Sequence, residues 1–267
     1  MLNINTNYAA AFATNAAKRT TASIETAMER LSTGSRINYS RDDAAGLAIA
    51  TRLNSEVQSL SAASRNAADA QSMLDTTDGA LAETHSVLIR MRELAVQAAN
   101  GTLDDTDRAA LDAEFQQLES EIDRINSNTS FAGVSLFDGS AKTFHIGTGN
   151  AVSDKVSHTF TSLASHNLDL DSAGPNNVVG GTTADDVVRD LTSAANAQTM
   201  LGEIDTAIAT VSTERGKLGA LSNRLSSTVA NLDQIGVNLS SSKGRIQDAD
   251  FAAETSNLAK SQILQQA

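Results

Sequence analysis

Leucine and alanine recur at seven-residue intervals through the first half of the chain. Leu53, Leu60, Ala67, Leu74, Leu81, Leu88 and Ala95 form one row. Three residues further on, Ala63, Ala70, Thr77, Thr84, Met91 and Ala98 form a second row of mostly small side chains. A large row beside a small row is a coiled-coil-like seam, sustained far beyond an ordinary globular helix. The spacing predicts one helix from Ser40 to Gly101, roughly 90 Å long at ~1.5 Å per residue. Ser40 and Asp43 have capping-box spacing at its start, so Asp42 and Asp43 are expected to stabilise that start. Gly101 stands where a helix would stop.

A second heptad lies near the other end, in Ile204, Val211, Leu218, Leu225, Leu232 and Leu239, with Ala207, Leu221 and Ile235 beside it. Between the two, Leu111, Phe115, Leu118, Ile122 and Ile125 alternate at four and three and predict a shorter helix. Thr102 and Asp105 have capping-box spacing at its start, and Asp104 and Asp107 add negative charge there. These three helices can bury one another. The core seam is expected at Leu60, Leu74, Leu81, Leu88, Leu218, Leu225 and Leu232.

The middle of the chain breaks the pattern. Residues 139–186 hold Gly139, Gly147, Gly149, Gly174, Gly180, Gly181 and the single proline, Pro175. KTFHIG and KVSHTF read as two strands joined by TGNAVSD, a hairpin. Leu163 to Asp186 is polar and turn-rich and reads as loop or a small irregular lobe. The terminal segments 5–33 and 247–267 carry sparse apolar residues and should be marginal helices alone. The fold class is therefore mainly α: a long coiled-coil-like bundle rod, a folded-back hairpin of N- and C-terminal helices with a small β-hairpin region in the middle.

Composition narrows the functions. Apolar residues are 40% but aromatics only 3%, which favours closely packed helices over an enzyme core built on large side chains. Net charge is -12 with no basic patch, so nucleic acid is not an expected partner. No apolar run approaches the ~20 residues of a membrane span, so no membrane insertion is expected. The N-terminus MLNINTNYAAAF lacks the pattern of a cleavable signal. Absence of cysteine removes disulfides, thiol catalysis and cysteine metal sites.

Catalytic and metal signals are poor. His145 and His158 sit on the two predicted strands and could face each other, yet two histidines without a placed carboxylate make a weak metal set. Asp42 and Asp43 are adjacent, so on a helix they point apart. DTTDGALAE has Leu74 where a calcium loop needs its first carboxylate. GTG at 147–149 lacks a strand–turn–helix context. No catalytic residue, metal or cofactor is expected.

Four blocks carry a resemblance. RLSTGSRINYSRDDAAGLAIATRL (30–53), RMRELAVQAANGT (90–102), LGALSNRL (218–225) and GRIQDADFAAETSNLAKSQILQQA (244–267) resemble, in order, the conserved blocks of bacterial flagellin. The short central insert makes the chain similar to a compact flagellin. The resemblance divides it into an N-terminal inner core segment (1–42), an outer core with N-terminal helices (43–138), a hairpin and loop insert (139–186), an outer-core C-terminal helix (187–243) and a C-terminal inner core segment (244–267). Flagellins usually continue past QILQQA, so that last segment is expected to be incomplete.

The resemblance implies a structural subunit that self-assembles into a helical homopolymer outside the cell. It also implies export through the flagellar type III apparatus, with chaperone, cap and junction proteins as partners. Subunit assembly is expected at Leu31, Ile37, Phe251, Leu258, Ile263 and Leu264. Vertebrate Toll-like receptor 5 is a further implied partner, at Arg90, Leu94 and Glu114 with Glu93 and Gln97. Arg90 offers a planar donor fork, Leu94 an apolar anchor on a face away from the seam, and Glu114 an acceptor. The alternatives are a hook–filament junction protein, or a surface adhesin binding glycans through the central lobe.

Overall fold

The structure is a computed structural model that describes residues 7–168, 170 and 190–266. The chain forms two compact units, residues 1–62 with 232–267 and residues 63–231. The expected division at 42/43 falls just before the long helix Ala44–Ala98, whereas the one at 243/244 falls inside the helix Ala194–Gln247, and the two units also divide inside these long helices. Of the loop expected from Leu163 to Asp186, residues 163–168 and 170 are described and include a 3-10 turn at Ser165–Leu168. The rest of it lies outside the described residues.

In the first unit, α1 (Tyr8–Thr33) is capped by Asn7, whose Oδ1 accepts from the Ala10 N–H at 3.0 Å. It ends at Gly34, whose φ of 71° is the left-handed conformation that glycine adopts without cost. α5 (Phe251–Gln266) starts on Asp250, whose Oδ1 accepts from the Ala252 and Ala253 N–H groups. The two helices pack together, joined by Arg30 Nη1 donating to Glu254 Oε1 at 2.8 Å. Beside that pair, Ser35 and Asp248 form an antiparallel bridge. Arg36 N donates to Gln247 O at 2.7 Å and Ala249 N to Gly34 O at 2.9 Å.

The entry to α2 (Ala44–Ala98) corrects the expected capping box. Asp43 is the cap, its Oδ1 accepting from the Gly46 N–H at 2.8 Å, and Ser40 is not used. Asp42 instead holds the preceding turn, with Oδ2 accepting from the N–H groups of Asn38 and Tyr39. Those bonds hold its carboxyl below the usual aspartate range.

In the second unit, α2 from Ala63 onward, α3 (Asp105–Asn128) and α4 (Ala194–Gln247) up to Asn231 enclose the main core. Every position of the two heptad rows from Leu53 to Ala98 is buried, Leu53 and Leu60 in the first unit and the rest in the second. Thr77 and Thr84 are fully buried, and each hydroxyl donates to the carbonyl four residues back, Met73 O at 2.8 Å and Ala80 O at 3.0 Å. On α4, Ile204, Ala207, Val211, Leu218, Leu221, Leu225 and Leu232 are buried, while Ile235 is exposed.

The start of α3 also differs from expectation. Asp104, not Thr102, is the cap and accepts from the Asp107 N–H at 2.8 Å. A buried Arg108 reaches back from α3, donating from Nε to Ala98 O at 3.0 Å and from Nη2 to Asn100 O at 2.9 Å. It satisfies carbonyls that the end of α2 would otherwise leave unpaired. Further along α3, Asp112 Oδ1 accepts from the Leu191 N–H, Asp123 from Ser165, and Asn126 from Leu163.

Two small hairpins follow α3. β1 (Ser130–Phe131) pairs with β2 (Val134–Ser135) across a two-residue turn, Ala132 and Gly133, both at positive φ. β3 (Ala141–His145) pairs antiparallel with β4 (Lys155–Thr159).

Candidate functional site

The last turns of α2 carry two arginines two residues apart, which on a helix point to different sides. Arg90 donates from Nε and Nη2 to Glu114 Oε1 on α3, at 3.0 and 2.8 Å, and from Nη1 to Glu93 Oε2 at 3.0 Å. Arg92 donates from Nε to Asp205 Oδ1 on α4 at 2.6 Å. α2 is therefore flanked by α3 on one side and α4 on the other, with an ion pair to each. Glu114 and then Glu93 hold the Arg90 guanidinium still more firmly protonated, and Arg92 holds the Asp205 carboxyl below its ordinary range. Arg90, Glu93, Gln97 and Glu114 are all exposed. Exposed pairs of this kind add little to stability, so the patch is available for contacts outside the chain.

Leu94 is not part of that exposed patch. It is 1% exposed and belongs to the core cluster with Met91, Ala95, Phe115 and Ile122. The expectation of an exposed anchor is corrected, and the cause lies in the width of the seam. A helix facing one neighbour buries two positions per heptad, whereas one wedged between two neighbours buries three. Met73 and Leu94 precede the large-row residues Leu74 and Ala95 by one, and both are buried.

The terminal residues separate into two groups. Phe251, Ile263 and Leu264 are 57%, 66% and 58% exposed, and Leu31 and Leu258 are half-buried. Ile37 is 2% exposed, and its Cδ1 lies 2.7 Å from where a Cβ on Gly46 would stand. It packs inside its own chain, so its expected place on an assembly surface is corrected. Three exposed residues of α1 were absent from the expected contact set: Tyr8, Phe12 and Met28, at 73%, 78% and 54%. Their apolar character was visible in the sequence, but only the placement of α5 shows that nothing in the unit covers them.

The histidines do not face each other. Register places His158 opposite Lys142 and His145 opposite Lys155. His158 Nε2 instead lies 2.9 Å from Oε1 of the buried Glu214, and Lys217 donates to the other oxygen of Glu214 at 3.0 Å. That cluster ties β4 to α4. Among the described residues no group of three His, Asp or Glu could hold a metal ion, and no helix is long and apolar enough to cross a membrane.

Against this geometry the comparisons with known proteins are decisive. The family model of the bacterial flagellin N-terminal helical region matches residues 4–142, and that of the bacterial flagellin C-terminal helical region matches residues 201–267. The chain belongs to the bacterial flagellin family. A flagellin of Halalkalibacterium halodurans is 40% identical over 241 residues, covering 90% of this chain and 84% of the relative. A flagellin of Bacillus subtilis is 37% identical over 287 residues, covering 100% of this chain and 93% of the relative. The fold is shared with a solved structure ascribed to the flagellar hook-associated proteins of Vibrio parahaemolyticus. Its TM-score is 0.62 at 17% identity, over 78% of this chain and 100% of the other. Flagellins are structural proteins rather than an enzyme family. Family membership makes this flagellin a subunit of the extracellular flagellar filament.

Proposed function

We propose that this flagellin polymerises through the exposed apolar residues of its terminal helices. The supporting observation is that α1 and α5 pair with each other yet leave Tyr8, Phe12, Phe251, Ile263 and Leu264 more than half exposed. Large apolar side chains concentrated on two packed helices are the mark of a surface that is covered in an assembly. An open groove of about 530 Å³ between the same helices, lined by Ala22, Ser23, Thr26, Asn257 and Ser261, leaves their packing unfinished in the single chain. Phe12→Ser with Leu264→Ser should abolish filaments in electron microscopy while the monomer keeps its circular dichroism. Filaments forming at an unchanged protein concentration would sink this reading.

The exposed patch of Arg90, Glu93, Gln97 and Glu114 is the proposed contact for Toll-like receptor 5. Leu94 supports it from beneath by packing, not by contact. Export through the flagellar type III apparatus with its chaperone, and capping by cap and junction proteins, follow as partners from the family resemblance. Arg90→Ala should weaken receptor signalling by the monomer without changing its melting. Full signalling by that variant would remove the patch from the receptor contact.

A further inference from the structure

We propose that Asn100–Gly101 is a site of spontaneous covalent modification, where Asn100 deamidates and isomerises through a cyclic imide. It is the only Asn-Gly pair in the chain. Imide formation needs the backbone nitrogen of the following residue to reach the side-chain carbonyl carbon, and glycine leaves that approach open. The pair lies in the turn between α2, which ends at Ala98, and α3, which starts at Asp105. Both residues are exposed. Among the described residues the Gly101 N–H donates no hydrogen bond, so the attacking nitrogen is not held by a carbonyl. By contrast Asn54, Asn66, Asn223, Asn231 and Asn238 lie within helices, where the backbone cannot rotate into the reactive geometry.

The side chain is also placed for the reaction. Asn100 Oδ1 accepts from the Thr102 N–H at 3.3 Å, an Asx-turn whose ring contains both Cγ of Asn100 and N of Gly101. The donor draws electron density from the Cγ carbonyl and supports the negative oxygen that forms on attack. Hydroxide removes the Gly101 N–H proton, and the nitrogen bonds to Cγ. The Cγ–Nδ2 bond breaks, and Nδ2 leaves as ammonia with a proton from water. Water then opens the imide at either carbonyl, giving aspartate or isoaspartate. One water is consumed and one ammonia released.

The isoaspartate product changes a specific contact. The chain then runs through Cγ, and the former Asn100 backbone carbonyl becomes a free carboxylate. That carbonyl accepts from Arg108 Nη2 at 2.9 Å and from the Leu103 N–H at 3.4 Å. Modification therefore lengthens the α2–α3 turn at the point that Arg108 grips, and adds a negative charge close to Asp104, Asp105 and Asp107.

The test incubates the purified full chain in mildly alkaline oxygen-18 water and follows every asparagine peptide by mass spectrometry, with isoaspartyl methyltransferase labelling as a second readout. Asn100 should take up label faster than every other asparagine, at a rate rising with pH, and split into two products of equal mass. Gly101→Ala should slow it by at least an order of magnitude. That variant is expected to fold, because a Cβ on Gly101 meets nothing within 4 Å and its φ is not left-handed. Label at Asn100 no faster than in the helical asparagines, no slowing in Gly101→Ala, or reaction only after unfolding in denaturant would each overturn the proposal.

Discussion

Leu94→Ala tests whether the end of α2 presents an apolar contact or buries it. Leu94 is 1% exposed within a cluster that includes Phe115 and Ile122. Removing its branched end loses about three methylene equivalents at ~0.8 kcal/mol each, near 2.4 kcal/mol before any cavity is counted. A residual cavity raises this toward the ~3–4 kcal/mol usual for buried leucine truncations. For a unit the size of residues 63–231, 1 kcal/mol shifts melting by about 2–4 °C, so melting should fall by on the order of 10 °C. Urea unfolding followed by circular dichroism, beside Arg90→Ala as an exposed control, measures the difference. A Leu94→Ala chain within about 0.5 kcal/mol of the parent, the range of ordinary surface substitutions, would refute the reasoning. The result also decides how receptor data are read. Lost signalling in an Arg90/Leu94 double variant reports unfolding as much as lost contact, so the single variants are needed.

Arg108→Met keeps the apolar stem but removes the donors to Ala98 O and Asn100 O. With two charge-assisted bonds at about 1.5–3 kcal/mol each, a loss of roughly 3–6 kcal/mol is expected in denaturant unfolding, and Arg108→Lys should recover only part of it. Asp42 has a carboxyl held below its ordinary range by the Tyr39 and Asn38 N–H groups. Its contribution is therefore fully present above about pH 4, the unfolded aspartate range, and is lost as pH falls through the lower folded value. A carboxyl-carbon titration by NMR should give a midpoint below that of a free aspartate, and Asp42→Asn should remove this part of the acid sensitivity. A Cβ on Gly147 would collide with the Asp154 side chain, which accepts from the Ala151 N–H. Gly147→Ala should loosen the β3–β4 loop, seen as faster amide exchange at Ile146, whose N–H donates to Asp154 O at 2.8 Å.

The long helices were legible because a seven-residue repeat is an arithmetic signal. Leu53 to Ala95 and Ala63 to Ala98 needed no tertiary knowledge to be placed in one seam. The hairpin of β3 and β4 was legible from short β-prone runs around a glycine-rich loop. Register was not, so the two histidines were brought together wrongly. The caps lie three residues (Asp43 rather than Ser40) and two residues (Asp104 rather than Thr102) beyond the expected positions, because Asp, Ser and Thr crowd both helix starts and only backbone geometry chooses among them. Leu94 and Ile37 were misread for a shared reason. Whether an apolar residue is covered depends on how many elements surround it, and a single-helix pattern does not count neighbours. The grip of Arg108 left no pattern at all, since an arginine in the first turn of a helix looks like a solvated charge.

The short bridge between Ser35 and Asp248 has a mechanical consequence. Two backbone hydrogen bonds of 2.7 and 2.9 Å, a side-chain bond from Arg36 Nη2 to Ile246 O at 2.7 Å and the nearby Arg30–Glu254 pair fasten the chain leaving α1 to the chain entering α5. A pull that enters through either helix meets these bonds side by side. They must yield together rather than one after another. Tension on one chain end is thereby shared with the other before it reaches the long helices.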